Sequence, residues 1–151
     1  MSGPELIYWD SDAFLGWLQE EPDKVELCKG TLERAKAGEV AIVTSALTIA
    51  EVLWRRGGPK LSKDKATVLR KFFRHSWIRV RAVSRAVAES AQDVVWNHGI
   101  MPKDAIHVAT ALDVGAAILE TFDGDLLKKT GKVGSLVIRK PIPPKQTSLD
   151  V

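Results

Sequence analysis

The stretch Leu6-Ile7-Tyr8-Trp9-Asp10-Ser11-Asp12 decides how the chain folds, because four apolar residues in a row run directly into three polar ones. An apolar run this short, bounded by polar residues, reads as a strand buried on both faces, with the acid at the point where the strand leaves the core. The same form recurs. Val40-Ala41-Ile42-Val43 runs into Thr44-Ser45, Ala116-Ala117-Ile118-Leu119 runs into Glu120-Thr121, and Leu136-Val137-Ile138 is a late strand. Trp77 to Val83 also reads as strand, since Ile78, Val80 and Ala82 alternate with Arg79 and Arg81.

Helical patterns fill the gaps. Ser11 or Asp12 caps a first helix through Leu18, and Pro22 or Asp23 opens a second that Gly38 stops. A third runs from Ala46 to Arg56, closed by Gly57-Gly58-Pro59, and Ser62 caps a fourth through Arg74. Ser84 begins a fifth that ends near Asn97-His98-Gly99, and Pro102 begins a sixth that runs to Gly115. Strand alternating with helix predicts the α/β class, a three-layer α/β/α sandwich with a mostly parallel central sheet. Residues 1–140 read as one domain, and 141–151, with three prolines and few apolar residues, as an extended or flexible tail.

Composition narrows the function classes. The 151 residues are 45% hydrophobic, enough for a single core. No apolar run approaches the ~20 residues a membrane span needs, and the N-terminus lacks a signal-peptide layout. The expectation is a soluble cytoplasmic protein that does not engage a membrane. Cys28 is the sole cysteine, so neither an intramolecular disulfide nor a thiolate zinc site is available, and it reads as a buried or half-buried helix residue. A net charge of +3 and a pI near 9.1 permit a nucleic-acid partner without requiring one. The distribution says more. Eleven of the 22 Lys and Arg residues lie between Arg55 and Arg85, where Asp64 is the only acid.

Ligands of open parallel sheets bind beyond the carboxyl ends of the strands. Three apolar runs deliver acids there. Asp10 follows the first strand, Glu51 lies about two turns into the helix after the second, and Asp123 follows the strand ending near Leu119. Asp104 enters from the first turn of the helix behind Pro102, on one face with His107, Val108 and Ala111. Four convergent carboxylates repel one another, and burying them unpaired costs several kcal/mol or forces protonation. A hard divalent cation, Mg²⁺ or Mn²⁺, resolves the conflict and activates a bound water toward a phosphodiester. Asp10, Asp104 and Asp123 are the expected ligands, directly or through water, with Glu51 positioning a water or second ion.

The segments Leu6-Ile-Tyr-Trp-Asp-Ser-Asp-Ala-Phe-Leu15, Ser45-Ala-Leu-Thr-Ile-Ala-Glu51, Asp104-Ala-Ile-His-Val-Ala-Thr-Ala111 and Thr121-Phe-Asp-Gly-Asp125 resemble, in order, the four motif blocks of PIN-domain (PilT N-terminus) nucleases. Spacing and size are most similar to the VapC-type toxins of bacterial toxin–antitoxin systems. Each block alone is common, and the ordered set is far more specific. The resemblance implies a metal-dependent endoribonuclease whose site is Asp10, Glu51, Asp104 and Asp123, with Thr121 supporting it through its hydroxyl. It also implies an antitoxin partner and a homodimer. Asp12 stands where the family often has Asn or another small polar residue, and Leu126 where an aromatic is common. Asp12 and Asp125 therefore add outer charge or cap helices. Arg55, Arg79 and Arg81, from the cationic middle, are candidate RNA contacts.

Plainer roles stand beside these. Glu51 can pair with Arg55 at i, i+4, and Asp10 and Asp123 can cap the helices that follow them. His107, on an alanine-rich apolar face, reads as a hydrogen-bonded structural residue before a metal ligand, and His75 and His98 as helix-end cations. Of the tryptophans, Trp9, Trp54 and Trp96 read as core rather than as stacking surfaces for bases. Two other function classes remain open. Leu-Ile-Tyr-Trp-Asp10-Ser-Asp12 also resembles the haloacid-dehalogenase-like phosphatases, with Asp10 as nucleophile and Asp12 as general acid, although Phe14 sits where that family has Thr or Val. The other class is a non-catalytic binding module on the same fold.

Overall fold

A computed structural model describes residues 3–54 and 58–144. The elements run β1 (Glu5–Trp9), α1 (Ser11–Leu18), α2 (Pro22–Lys36), β2 (Val40–Ser45), α3 (Ala46–Glu51), α4 (Lys63–Phe72), β3 (Ile78–Arg81), α5 (Arg85–His98), α6 (Pro102–Asp113), β4 (Ile118–Glu120), α7 (Gly124–Leu127) and β5 (Val137–Arg139). All five strands pair in parallel, in the order β3-β2-β1-β4-β5. The chain thus builds outward from β1 to β3 on one side, then crosses to β4 and β5 on the other. A crevice opens where the two directions part, beyond the ends of β1 and β4.

Alternation along the strands sorts side chains between two cores. Tyr8, Val43, Leu119 and Ile138 face one way, against Val87, Ala91 and Val94 of α5, Val108 and Ala111 of α6, and Leu126 of α7. Ile7, Trp9, Ile42 and Ile78 face the other, against Phe14 of α1, Cys28 and Leu32 of α2, and Leu69 and Phe73 of α4. The predicted three-layer α/β/α sandwich is the observed architecture. Every residue of β2 is buried, as expected of a strand covered on both faces.

Helix ends follow local chemistry. Ser62 and Ser84 cap α4 and α5, Pro22 and Pro102 stand in the first turns of α2 and α6, and Gly99 ends α5 with φ +65°. Three readings need correction. Asp10, not Ser11 or Asp12, caps α1. The third helix stops at Glu51 instead of continuing to Arg56, because the chain turns back so that Trp54 bridges Lys60 and Leu61 N–H donates to Leu53 O at 2.8 Å. Trp54 and Trp96 are not core: they are 67% and 87% exposed. The buried face of α5 is Val87, Ala91 and Val94, and Trp96, two residues on from Val94, points about 200° away from it. Trp54 lies beyond the end of α3, its indole N–H donating to Gly58 O at 2.9 Å. Trp9, by contrast, is fully buried, and so is Cys28.

Of the segment beyond β5, residues 141–144 are described, and they cross α2 at Gly30. A Cβ on Gly30 would run into the Ile142 carbonyl, so glycine is what lets the backbones approach there.

Candidate active site

The strand ends bring the predicted residues together. Asp10, one residue past β1, is buried, with Oδ1 accepting from Ala13 N–H at 3.0 Å and Oδ2 accepting from Thr121 Oγ1–H at 2.5 Å. Thr121, one residue past β4, is also fully buried, and its oxygen accepts from Asp123 N–H at 3.0 Å. One hydroxyl therefore joins the ends of the two neighbouring strands and aims the next acid. Asp123 in turn accepts from Asp125 N–H at 2.9 Å as the cap of α7. Thr44, at the end of β2, donates to Trp9 O at 2.7 Å and lies 2.7 Å from Thr48, which ties α3 to the same edge.

Asp104 projects from the first turn of α6, within hydrogen-bonding reach of the Asp123 carboxyl. Asp12 stands at the exposed mouth, close enough to Asp123 and Glu51 to feel both charges. Asp10, Asp12, Glu51, Asp104 and Asp123 thus form one group. Asp125 does not join it through its carboxylate: it is exposed, and it gives the group its backbone N–H. The capping roles foreseen for Asp10 and Asp123 are real, and each cap engages one oxygen of its carboxylate. Glu51 pairs with His107; Arg55, its alternative partner, lies outside the described residues. Arg79 and Arg81 are exposed on β3, the edge strand, with Arg81 in register with Ser45 at the end of β2.

Electrostatics reflect the crowding. Burial, with Asp12 adding to it, pushes the Asp10 carboxyl up to about 7, against the pull of His107 and the Thr121 and Ala13 hydrogen bonds. Asp104 is likewise pushed up to about 7, by burial and then by Asp123. Asp12, though its side chain reaches solvent at the mouth, is raised by partial loss of hydration and then by Asp123 and Glu51, with Lys24 opposing. Burial pulls His107 down, but the Glu51 hydrogen bond and the charges of Asp10, Glu51 and Asp104 outweigh it, and its pKa rises. Carboxylates this close hold protons that a nearby cation would displace.

The donor set is all hard oxygen, the preference of Mg²⁺ and Mn²⁺. Among the described residues no three Asp, Glu, His or Cys side chains converge tightly enough to enclose an ion by themselves. An ion held among these carboxylates would therefore have to keep several waters and take only one or two of them directly, a coordination that Mg²⁺ accepts.

The hydrogen-bonded role read for His107 is the one observed, but its partners, a cation near the site and an ion pair behind it escaped the sequence reading. Tyr8 places its hydroxyl 2.7 Å from His107 Nδ1, and His107 Nε2 lies 2.7 Å from Glu51 Oε1. Lys24, which faces Asp12, has its ammonium 5.3 Å from the Phe122 ring centre. Glu120, fully buried on the opposite face from Thr121, accepts from Trp9 Nε1–H at 2.8 Å and Thr31 Oγ1–H at 2.6 Å and pairs with Arg139 at 3.2 Å. The available signals were the hydroxyl that Tyr8 carries into an apolar run and the acid, Glu120, that directly follows another, since a buried hydroxyl or carboxylate needs a partner.

No curated protein sequence matches the chain significantly. Solved structures do. The VapC20 toxin of Mycobacterium tuberculosis, described as cleaving the sarcin–ricin loop, is 22% identical, with 81% of this chain and 93% of that one covered and a TM-score of 0.61. A toxin–antitoxin complex from Klebsiella pneumoniae is 18% identical, with coverage of 91% and 98% and a TM-score of 0.62. VapBC2 of Rickettsia felis, bound to a fragment of its promoter DNA, is 17% identical, with coverage of 89% and 98% and a TM-score of 0.64. These likenesses are of fold. In sequence, the PIN-domain family model matches residues 7–133, nearly the whole described chain, and the protein belongs to the PIN-domain family.

Proposed function

We propose that this protein is a metal-dependent endoribonuclease, the toxin of a type II toxin–antitoxin pair, with Asp10, Glu51, Asp104 and Asp123 as its site. The observation that carries the reading is the gathering of these acids, with Asp12, at the ends of β1, β2 and β4, where Asp10 and Asp104 are each pushed up to about 7. Membership of the PIN family supports nuclease chemistry over the phosphatase chemistry that Asp10-Ser11-Asp12 also resembles. The toxin and toxin–antitoxin neighbours support the biological role and an antitoxin partner.

Asp10, Asp104 and Asp123 would hold Mg²⁺ or Mn²⁺, directly or through water. When bound, the ion lowers the pKa of a coordinated water and offsets negative charge on the phosphodiester. The protein does the rest. Thr121 and the Ala13 N–H fix both oxygens of Asp10. The Asp125 N–H fixes Asp123. Glu51, held through Oε1 by His107, orients the attacking water with Oε2 and takes its proton. Arg79 and Arg81, with Arg55, are phosphate contacts for the RNA flanking the cut. Residues 1–140 are the catalytic unit and 141–151 its tail. The protein works as a homodimer in the cytoplasm; no helix among the described residues is long and apolar enough to cross a membrane.

The test is incubation of purified protein with total RNA in Mg²⁺, in Mn²⁺ and in EDTA. Cleavage with either ion and none in EDTA is the expected result. Equal cleavage in EDTA would remove the metal from the account, and no cleavage under any condition would favour a binding module.

A further inference from the structure

His107 is 1% exposed, lies in the middle of α6 three residues after Asp104, and has both ring nitrogens engaged. A carboxylate only accepts, so Nε2 carries a proton and donates to Glu51 Oε1, whatever the state of Nδ1. Nδ1 faces the Tyr8 hydroxyl, and the two rings meet edge-on with centres 5.7 Å apart. Tyr8 stands in β1 two residues before Asp10. One line of contacts therefore runs from β1 through α6 to α3 and ends on a site acid, with Tyr8 beside Asp10, and His107 near the charges of Asp10 and Asp104 as well as bonded to Glu51.

Glu51 needs such a hold. It is the last residue of a six-residue helix, after which the chain turns back toward Lys60. Its long side chain faces the charge of Asp12, which repels it from the group. Without a donor at this place the carboxylate would turn to solvent, where its full hydration awaits it. The imidazole holds it inward.

We propose that His107 is the positioning residue of Glu51, with Tyr8 bracing the imidazole. The role given to Glu51 rests on the ribonuclease reading, whereas the hydrogen-bonded line does not. In His107→Gln the amide nitrogen reaches about the place of Nε2 and still donates to Glu51, whereas in His107→Asn it falls short. RNA cleavage by the full chain should fall about 10- to 100-fold in His107→Asn, the range for residues that orient a ligand or catalytic group. His107→Gln should recover to within several-fold of the unaltered protein. Equal loss in both variants at matched urea-unfolding midpoints would overturn the proposal. A second measurement needs neither RNA nor metal. In ¹⁵N-histidine-labelled protein the His107 Nε2–H should give a slowly exchanging downfield proton that shifts upfield or vanishes in Glu51→Gln. An Nε2–H resonance indifferent to that substitution would refute the contact. Should the unaltered protein cleave no RNA, the ribonuclease reading fails on its own, and the resonance alone upholds or overturns the brace.

Discussion

Asp10→Asn should make the metal-free protein more stable while removing its activity. Asp10 has an ordinary pKa of 3.8 in the unfolded chain and is pushed up to about 7 by burial when folded. The folded state thus binds more protons than the unfolded state between those values. The stability this group contributes is fully present below pH 3.8 and is lost as pH rises through 7. At about 1.36 kcal/mol per unit, the cost of ionised Asp10 at pH 8 is about 4 kcal/mol, of which about 2–3 kcal/mol develops between pH 5 and pH 8. Asparagine keeps the cap on α1 through its carbonyl oxygen but forfeits the Thr121 hydroxyl's donation, so the net gain at pH 8 is about 1–3 kcal/mol. Urea unfolding in EDTA at pH 5 and pH 8 measures it. The gain should be larger at pH 8, and Mn²⁺ should stabilise the unaltered protein more than the variant. A variant destabilised equally at both pH values would refute the reasoning.

Thr121→Val removes the donor to Asp10 and the acceptor of Asp123 N–H, and should cost about 1–3 kcal/mol, more at pH 8 than at pH 5; Thr121→Ser should restore most of it. Arg139→Met leaves Glu120 buried without its cation and should cost about 3 kcal/mol in urea unfolding, while adding Glu120→Gln should recover most of that by keeping an acceptor for Trp9 and Thr31. Gly30→Ala drives a methyl group into the Ile142 carbonyl and should lower stability by about 1–3 kcal/mol. Truncation after residue 140 should abolish the effect of Gly30→Ala, read as the difference in thermal midpoint with and without the substitution.

Much of this was legible in the chain. Runs such as Leu6–Trp9 and Val40–Val43 end in polar residues at one edge of the sheet, where Asp10, Thr44 and Thr121 are buried but hydrogen-bonded, so the acids that follow parallel strands gather at one crevice. Side-chain direction on α6 followed from spacing, and Asp104 and His107 do share its inward face. Partners were harder to read. Glu51 and His107 are 56 positions apart and Trp9 and Glu120 are 111 apart, and no local rule pairs residues at such separations. Trp96 misled as a residue at helical spacing from apolar neighbours: the positions three and four before it are Asp93 and Gln92, and the period of Val87, Ala91 and Val94 turns it outward. Trp54 misled because the third helix ends early, when the following loop pairs back on itself.

The acidic metal site is tested most directly by one measurement: the rate of RNA cleavage as a function of Mn²⁺ concentration for the unaltered protein and for Asp104→Asn. Asp104 shares its place with Asp123 and is pushed up to about 7, so its carboxylate should be among the groups a cation engages. The prediction is saturable activation by Mn²⁺ in the unaltered protein and a rate at least about 100-fold lower in a folded Asp104→Asn. Undiminished cleavage by that variant, with the same Mn²⁺ dependence, would contradict the acidic metal site.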